Sequence, residues 1–182
     1  MGSTIVSLQG DDPLPSSLTF VAALAVFDSV REAVGKTVEP GLKWPNDVLL
    51  DGGKLSGILL ELVGQAVVVG VGVNLAVAPN LPDRKTAALA DFVQTPELES
   101  FAELLARRFG RHLQSWRSDG LAHTLGEFSR RSIHSIGSPV KVHDTDGSRI
   151  EGTFAGLEES DGALRLRLAD GSERVIRAGD IT

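Results

Sequence analysis

The sequence predicts an α+β protein in which a mixed or antiparallel sheet packs on helices and a small barrel of strands follows. Two observations predict this class. Apolar residues recur at helical spacing on both sides of a stretch of short apolar runs divided by glycine turns. Beyond residue 131 the chain has only short strand-like runs, which favours a small barrel. We therefore predict two domains, at residues 1–131 and 132–182.

The first domain should open with a strand at residues 5–8 and continue into a helix capped by Ser16 or Ser17. Gly35 is the expected stop of this helix. One helical face is predicted from five apolar residues spaced three or four apart: Phe20, Leu24, Phe27, Val30 and Val34. That face should pack against the sheet.

The sheet itself is expected to be an antiparallel meander. Its strands are predicted at residues 42–44, 48–50, 54–63 and 66–75, with tight turns at residues 51–53 and 64–65. The last of these strands is apolar on both faces, so we expect a central strand. Gly70 and Gly72 within it should mark the close approach of a helix or a ligand.

Two further helices and four short strands complete the expected architecture. The longer helix should start at Pro96 and Glu97, and the shorter one should cover residues 121–130. The longer helix carries an apolar stripe of Leu98, Phe101, Leu104, Leu105, Phe109, Leu113 and Trp116. The barrel strands are predicted at residues 140–142, 150–157, 163–168 and 173–176, with Asp-Gly turns at residues 146–147, 161–162 and 170–171.

Composition narrows the classes of function. The chain contains no cysteine, which excludes disulfides, thiolate metal sites and a cysteine nucleophile. A formal charge of −6 argues against binding nucleic acid chiefly by phosphate neutralisation. We find neither a signal-like N-terminus nor an apolar run of membrane-spanning length, so we expect a cytoplasmic protein without nucleic-acid or membrane partners. The four histidines lack metal-ligand spacing, and no metal site is predicted.

Residues 43–61 are the most informative segment, because charged residues, amides and glycines crowd between two apolar runs. Lys43 and Asp47 flank a Trp-Pro-Asn, and Lys54 follows a double glycine, where its ammonium can be presented to an anion. A solvated polar hairpin is the alternative for such a composition. The segment lacks the residues of a P-loop, and Gly70-x-Gly72 lacks the third glycine of a dinucleotide fingerprint.

Two motifs in this segment resemble a known family. The pentapeptide Lys-Trp-Pro-Asn-Asp at residues 43–47, followed by Gly-Lys-Leu-Ser-Gly-Ile-Leu at residues 53–59 and then Glu61, is similar to the biotin protein ligases. Residues 70–75 resemble the next strand of that family. The resemblance implies part of a class II synthetase-like catalytic domain, of the biotin/lipoate ligase type, followed by an SH3-like barrel.

The resemblance also implies an activity and its residues. Biotin's carboxylate would attack the α-phosphate of ATP, with Mg²⁺, to give biotinyl-5′-AMP, and a lysine of a biotin carboxyl carrier protein domain would then take the biotinyl group. The implied catalytic residues are Lys54, Asp47 and Asn46, with Asp47 either receiving the substrate ammonium or helping to hold magnesium. The implied ligand-binding residues are Lys54, Lys43, Gly57, Gly72 and Asn74. For Asn74 a capping role is an alternative, and a homodimer is also suggested.

The sequence lacks the Gly-Arg-rich loop, GRGRxGR, that the family carries upstream of these motifs. We therefore expect the C-terminal two thirds of such a ligase, with weak affinity for biotin because the arginine clamp over the phosphates is missing. The alternative is a catalytically incompetent homologue that acts as a binding or dimerisation module through an exposed sheet edge.

Overall fold

The computed structural model describes residues 1–82, 84–143 and 148–182, which form two five-stranded sheets and three α-helices. The predicted turn at residues 146–147 lies outside the described residues. No helix in the described ranges combines the length and the apolar character needed to cross a membrane. The α+β class is confirmed, and the two sheets follow one another along the chain.

The central sheet is antiparallel throughout, with the strand order β1-β5-β4-β3-β2. Its strands are β1 (Gly2–Ser7), β2 (Pro40–Lys43), β3 (Asp47–Leu50), β4 (Gly53–Val63) and β5 (Ala66–Val73). Strands β2 to β5 form the predicted meander, because the turns at Gly52 and Gly64 have the positive φ that tight hairpins need. Strand β5 is interior, as predicted, since β1 pairs with its other edge.

Three helices cover one face of this sheet: α1 (Leu18–Val34), α2 (Leu98–Ser118) and α3 (Gly120–Arg131). Helix α1 ends before Gly35, as predicted. It is buried on nearly every side rather than on one face, because it contacts the sheet as well as α2 and α3. This position explains its alanine-rich, apolar sequence. The apolar stripe of α2 is largely only half-buried, and Leu98 is exposed.

One local prediction in this part of the fold is wrong, and so is one of the two alternatives of a second prediction. The Ser17 hydroxyl does not cap α1; it donates to the Leu14 carbonyl and accepts a hydrogen bond from the buried Trp116 indole at 2.8 Å. No described helix approaches Gly70 or Gly72, since a Cβ built at either would meet only atoms of β4 within 4 Å, while the close approach of a ligand stays a prediction. Both glycines lie on the sheet face opposite the buried Val67 and Val69, so this face is open around them.

The second sheet has the strand order β10-β6-β7-β8-β9 and is also antiparallel. Its strands are β6 (Pro139–His143), β7 (Arg149–Leu157), β8 (Leu164–Arg167), β9 (Glu173–Ile176) and β10 (Asp180–Ile181). The first four lie where the sequence predicts them, and Leu164 and Leu166 are buried as the alternation in β8 requires. Strand β10 was not predicted, because two residues carry no periodicity.

The two sheets meet at a packed seam. The turn at Gly162 packs against Phe20 of α1 and Leu125 of α3, and its carbonyl accepts a hydrogen bond from the Trp44 indole at 3.0 Å. The Ile133 amide also donates to the Leu42 carbonyl at 2.9 Å, which ties the connecting segment to β2. The second sheet is therefore held directly against the end of β2, where the Lys-Trp-Pro-Asn-Asp segment begins.

Candidate active site

Four of the sequence-predicted site residues form a single row across the central sheet. Lys43 of β2 lies opposite Asp47 of β3, Asp47 lies opposite Gly57 of β4, and Gly57 lies opposite Gly72 of β5. Directly opposed residues in an antiparallel sheet bring their side chains onto the same face, about 5 Å apart. The antiparallel register thus places a cation, an anion and two positions without side chains in line.

The ammonium of Lys54 joins this row through Asp47. Its Nζ lies 2.5 Å from Asp47 Oδ1, and the Asp47 side chain is only 6% exposed. That oxygen accepts no regular hydrogen bond from the described residues, so the charge of Lys54 is what compensates it. A buried carboxylate next to a half-exposed lysine holds the ammonium at a fixed point while leaving it open to an anionic ligand.

Lys54 and Asp47 border the space beside Gly57, so a methyl group would fit there in van der Waals contact but a longer side chain would not. A Cβ built on Gly57 would lie 3.4 Å from Lys54 Cε, 3.5 Å from its Nζ and 3.7 Å from Asp47 Oδ1. Larger side chains would displace the ammonium from the carboxylate. Gly72 has no atom other than the Gly57 carbonyl within 4 Å of its own Cβ position, so the surface above it is open.

Asn46 occupies the turn between β2 and β3 and is tied to β4. Its Nδ2 donates to the Ile58 carbonyl at 2.8 Å, and the Ile58 amide donates to the Asn46 carbonyl at 3.1 Å. Trp44 is buried and donates to the Gly162 carbonyl, so it packs rather than stacks on a ligand. The Trp44–Pro45 peptide bond is cis. These contacts fix the turn that carries Asp47.

Asn74 lies beyond the end of β5 and acts on the backbone of Lys54. Its Nδ2 donates to the carbonyls of Lys54 at 3.3 Å and Ala87 at 3.0 Å. The Lys54 amide donates to the Lys85 carbonyl and its carbonyl accepts from the Ala87 amide. Asn74 therefore braces the start of β4 against residues 85–87. Its side chain caps none of the described helices, but its backbone carbonyl accepts a hydrogen bond from the Leu89 amide at 2.9 Å, at the start of a short 3-10 helix (Leu89–Asp91).

Lys43 turns toward the second sheet. Its Nζ lies 2.8 Å from Asp180 Oδ1, at the start of β10, and only 14% of its side chain is exposed. The neighbouring His134 has its pKa lowered, first by burial of the imidazole and then by the positive charge of Lys43. Neither partner could be identified from the sequence, because both come from the opposite end of the chain and lie outside any motif.

A polar cleft opens between the two sheets at this point. Its volume is about 560 Å³, and it is lined by Lys43, Asp47, Leu49, Gly52, Lys54, Arg84, Lys85, His143, Arg149, Asp180 and Thr182. In the described ranges no cluster of three or more acidic or histidine residues could hold a metal ion alone. Asp47 fits Mg²⁺ only as a partner of phosphate oxygens, the usual setting for this ion.

Two family profiles cover most of the chain. Residues 4–75 match the Biotin/lipoate A/B protein ligase family, and residues 135–182 match the Biotin protein ligase C terminal domain. A "Biotin--[acetyl-CoA-carboxylase] ligase" of Paracoccus denitrificans is 37% identical over 191 residues, which include 99% of this chain and 78% of that protein. The chain belongs to the biotin protein ligase family. The members of this family are ligases, so the chain belongs to a family of enzymes.

Other relatives of the family agree in sequence and in fold. A protein of the same description from Mycobacterium tuberculosis is 37% identical over 90% of this chain and 61% of its own length. A structure described as biotin protein ligase from Aquifex aeolicus in complex with biotin and ATP superposes with a TM-score of 0.80 over 99% of this chain and 75% of that one. At 21% identity this likeness shows the fold alone.

Proposed function

We propose that the protein is a biotin protein ligase, which makes biotinyl-5′-AMP from biotin and ATP and transfers biotin to one lysine of a biotin carboxyl carrier protein domain. The observation that carries this proposal is the row of Lys43, Asp47, Gly57 and Gly72, with the Lys54 ammonium fixed beside Asp47. We place the reaction in the cytoplasm. We assign residues 1–131 to a catalytic domain and 132–182 to an SH3-like domain.

In the first step a biotin carboxylate oxygen bonds to the α-phosphorus of ATP, and the bond from that phosphorus to the β-phosphate oxygen breaks. Two anions must meet, so fixed positive charge is needed where they approach. Lys54 supplies it, because Asp47 holds its ammonium in place beside the open surface over Gly57 and Gly72. Pyrophosphate leaves with the bridging oxygen. Asp47 would hold Mg²⁺ together with phosphate oxygens, and the ion would supply further positive charge to the leaving group.

In the second step the amine of the carrier lysine attacks the biotinyl carbonyl carbon, and the carbon–oxygen bond to AMP breaks. The lysine approaches as an ammonium and passes one proton to the Asp47 carboxylate, directly or through water, before its free amine attacks; the bonding electrons of the broken carbon–oxygen bond leave with AMP. Asp47 attracts this ammonium, and Asn46 holds the turn from which Asp47 projects by its bond to the Ile58 carbonyl. Asn74 acts at one remove, since it fixes the backbone of Lys54.

A coupled assay tests this function. The chain is incubated with ATP, Mg²⁺, a carrier domain and biotin at millimolar concentration, which offsets weak biotin affinity. We expect pyrophosphate release that depends on biotin, and a carrier heavier by one biotinyl group in its mass spectrum. A well-folded chain that releases no pyrophosphate in response to biotin would contradict the proposal.

A second candidate role, as a binding or dimerisation module, is favoured by the edge of the central sheet. The outer edge of β1 has no strand partner among the described residues, and Ile5 on that strand is 70% exposed. Exposed edges of this kind readily pair with another chain. Analytical ultracentrifugation tests it: a concentration-dependent dimer that Ile5→Lys disrupts, in a chain without ligase activity, would favour this role.

A further inference from the structure

A short segment that follows β5 along the chain lies directly beside Lys54. The Lys54 amide donates to the Lys85 carbonyl at 2.9 Å, and the Lys54 carbonyl accepts a hydrogen bond from the Ala87 amide at 3.0 Å. Lys54 and Thr86 thereby form an isolated parallel bridge. Because both backbone groups of Lys54 bind residues 85–87, this segment fixes the backbone from which the Lys54 side chain projects.

The side chain of Lys85 also reaches the turn that precedes Lys54. Its Nζ donates to the Asp51 carbonyl at 2.6 Å and to Asp51 Oδ2 at 2.9 Å. Asp51 has φ of +47°, a conformation that is uncommon for residues other than glycine, and Gly52 follows it with φ of +72°. The ammonium of Lys85 therefore holds both the main chain and the side chain of a turn residue in this uncommon conformation.

The same segment packs closely against Gly53, which lies between that turn and Lys54. A Cβ built on Gly53 would lie 2.9 Å from the Thr86 carbonyl carbon and oxygen and 3.0 Å from Ala87 Cβ. Thr86 is itself held, because its hydroxyl donates to the Pro79 carbonyl at 2.6 Å. The backbone before Lys54 is therefore packed so closely that a small shift of this segment would move it.

The contacts of Lys85 favour an effect through Lys54 over a direct contact with a ligand. Two of the three N–H donors of its ammonium already bind Asp51. The two side chains of this pair are 61% and 63% exposed, so the pair adds little to the stability of the fold. Its position matters more, since a shift of about 1 Å in a reacting group can cost about a hundredfold in rate.

We propose that Lys85 is a positioning residue for adenylation, which sets the place of the Lys54 ammonium beside Asp47 by holding the turn at Asp51. The inference rests on the proposed ligase function and extends it, because it gives a role to a residue outside the two motifs of residues 43–61. Lys54 is the group that meets the reacting anions. Lys85 acts through the backbone of the strand from which Lys54 projects, and it makes no contact with a substrate.

Single-turnover formation of biotinyl-5′-AMP, followed over a range of ATP concentrations, tests this role. We expect Lys85→Met, which keeps the aliphatic stem, to lower the maximal rate constant about tenfold, because the charge of Lys54 remains but its position is lost. The ATP concentration that gives half of the maximal rate should change by less than about twofold. Lys85→Arg keeps a cationic donor and should restore most of the rate.

Lys141→Met is the matched control for this substitution. Lys141 forms an ion pair with Glu151 at 2.9 Å, the same distance as that between Lys85 and Asp51, and its two side chains are 62% and 71% exposed. The pair lies on the second sheet, away from Lys54. The rate constant should therefore stay unchanged in Lys141→Met, and an equal loss in both variants would overturn the inference.

Asp51→Asn distinguishes positioning from direct binding of a phosphate by Lys85. Asparagine tolerates positive φ and keeps the backbone carbonyl, so only the carboxylate is lost. We expect the rate constant to fall about threefold, and the double variant to be no slower than Lys85→Met alone, because the two residues act together. If Lys85 bound phosphate, Asp51→Asn would free its ammonium and the rate would hold or rise, which would overturn the inference. A higher half-saturating ATP concentration in Lys85→Met with an unchanged maximal rate would overturn it as well.

Amide hydrogen exchange separates this inference from the proposed function, because it needs neither biotin nor ATP. We expect the amides of Lys54 and Ala87 to exchange at least about threefold faster in Lys85→Met than in Lys141→Met, since local opening of residues 85–87 becomes easier. Faster exchange in a chain that never forms biotinyl-5′-AMP would reject the function, while the hold of Lys85 on the backbone of Lys54 would stand. An unchanged rate constant for Lys85→Met in an active chain would keep the function and reject the inference.

Discussion

Two lysine–aspartate pairs lie near each other in this protein, but different parts of the fold make them. Lys54 and Asp47 belong to neighbouring strands of one hairpin, and the carboxylate is 6% exposed. Lys43 and Asp180 join two sheets, and there the carboxylate is 39% exposed while only 14% of the lysine side chain is exposed. In the first pair the aspartate is the less exposed partner, whereas in the second pair the lysine is the less exposed partner.

The difference indicates which partner is available to a ligand. A half-exposed ammonium held by a buried carboxylate can meet an incoming anion without leaving its partner. A largely buried ammonium held by an exposed carboxylate must exchange that partner first. We therefore expect the Lys54–Asp47 pair to control the rate of adenylation. The Lys43–Asp180 pair should instead couple the position of the second sheet to that of the central sheet.

The hairpin pair should respond most strongly to loss of Lys54. We expect Lys54→Ala to lower the rate of biotin-dependent pyrophosphate release by about 10²–10³-fold, because a fixed charge at the developing phosphate anion is lost. The assay is single-turnover formation of biotinyl-5′-AMP. Lys36→Ala, which removes an exposed lysine after α1, is the control and should leave the rate unchanged.

Stability must be followed in the same variants, because Lys54→Ala leaves the Asp47 carboxylate buried without a counter-charge. Lys54→Gln keeps most of the length of the side chain and should lose the rate as fully. An adenylation rate that survives both substitutions would contradict the role given to this pair.

The seam between the sheets should respond most strongly at Gly162. A methyl group there would overlap the Phe20 ring, with Cζ at 2.7 Å, and the backbone has φ of +74°. We expect Gly162→Ala to lower the free energy of unfolding by about 3 kcal/mol, since overpacking and backbone strain add. Urea unfolding measures this loss.

Gly171→Ala is the matched control for that experiment. Gly171 has φ of +84° in the same sheet, but no atom lies within 4 Å of its Cβ position. It should cost only the backbone strain, about 1 kcal/mol. Equal losses in the two variants would mean that Gly162 does not hold the sheets together.

The same contrast explains what the sequence could predict. The hairpin pair lies within one short segment, whose turn glycines and alternating apolar residues set the register, so the sequence alone could bring Lys54, Asp47 and Asn46 together as candidates, while their roles stay a prediction from the family resemblance. The seam joins residues such as Trp44 and Gly162, which are 118 positions apart. Neither propensity nor periodicity carries information over such a separation, which is why the pairing of Lys43 with Asp180 was missed.

Ser17 shows a second limit of sequence reasoning. A serine before an apolar helix predicts a cap. The hydroxyl is instead used by the indole of Trp116, which is buried in the core and needs an acceptor. A tertiary partner thus replaced the local one, and the helix starts without a side-chain cap.

The smallest expected effect is a pH dependence of stability at His134. Its imidazole lies in the connection between the sheets, its Nε2 has no hydrogen-bond partner among the described residues, and burial and Lys43 lower its pKa. In the unfolded chain the imidazole regains its ordinary pKa of about 6.5, so below that pH the unfolded state binds more protons. Stability should therefore fall as the pH drops through this value.

Urea unfolding at about pH 7.5 and about pH 5.5 measures this contribution, a fraction of a kcal/mol because the group is partly solvated. His134→Gln should remove that part of the pH slope, whereas His123→Gln, at an exposed position of α3, should keep it. Lys43→Met should raise the pKa of His134 measured by NMR, because one of the two causes of its depression is gone. An unchanged His134 pKa in Lys43→Met would show that the Lys43 charge does not act on His134. It would then contradict the position given to Lys43 beside the connection between the sheets.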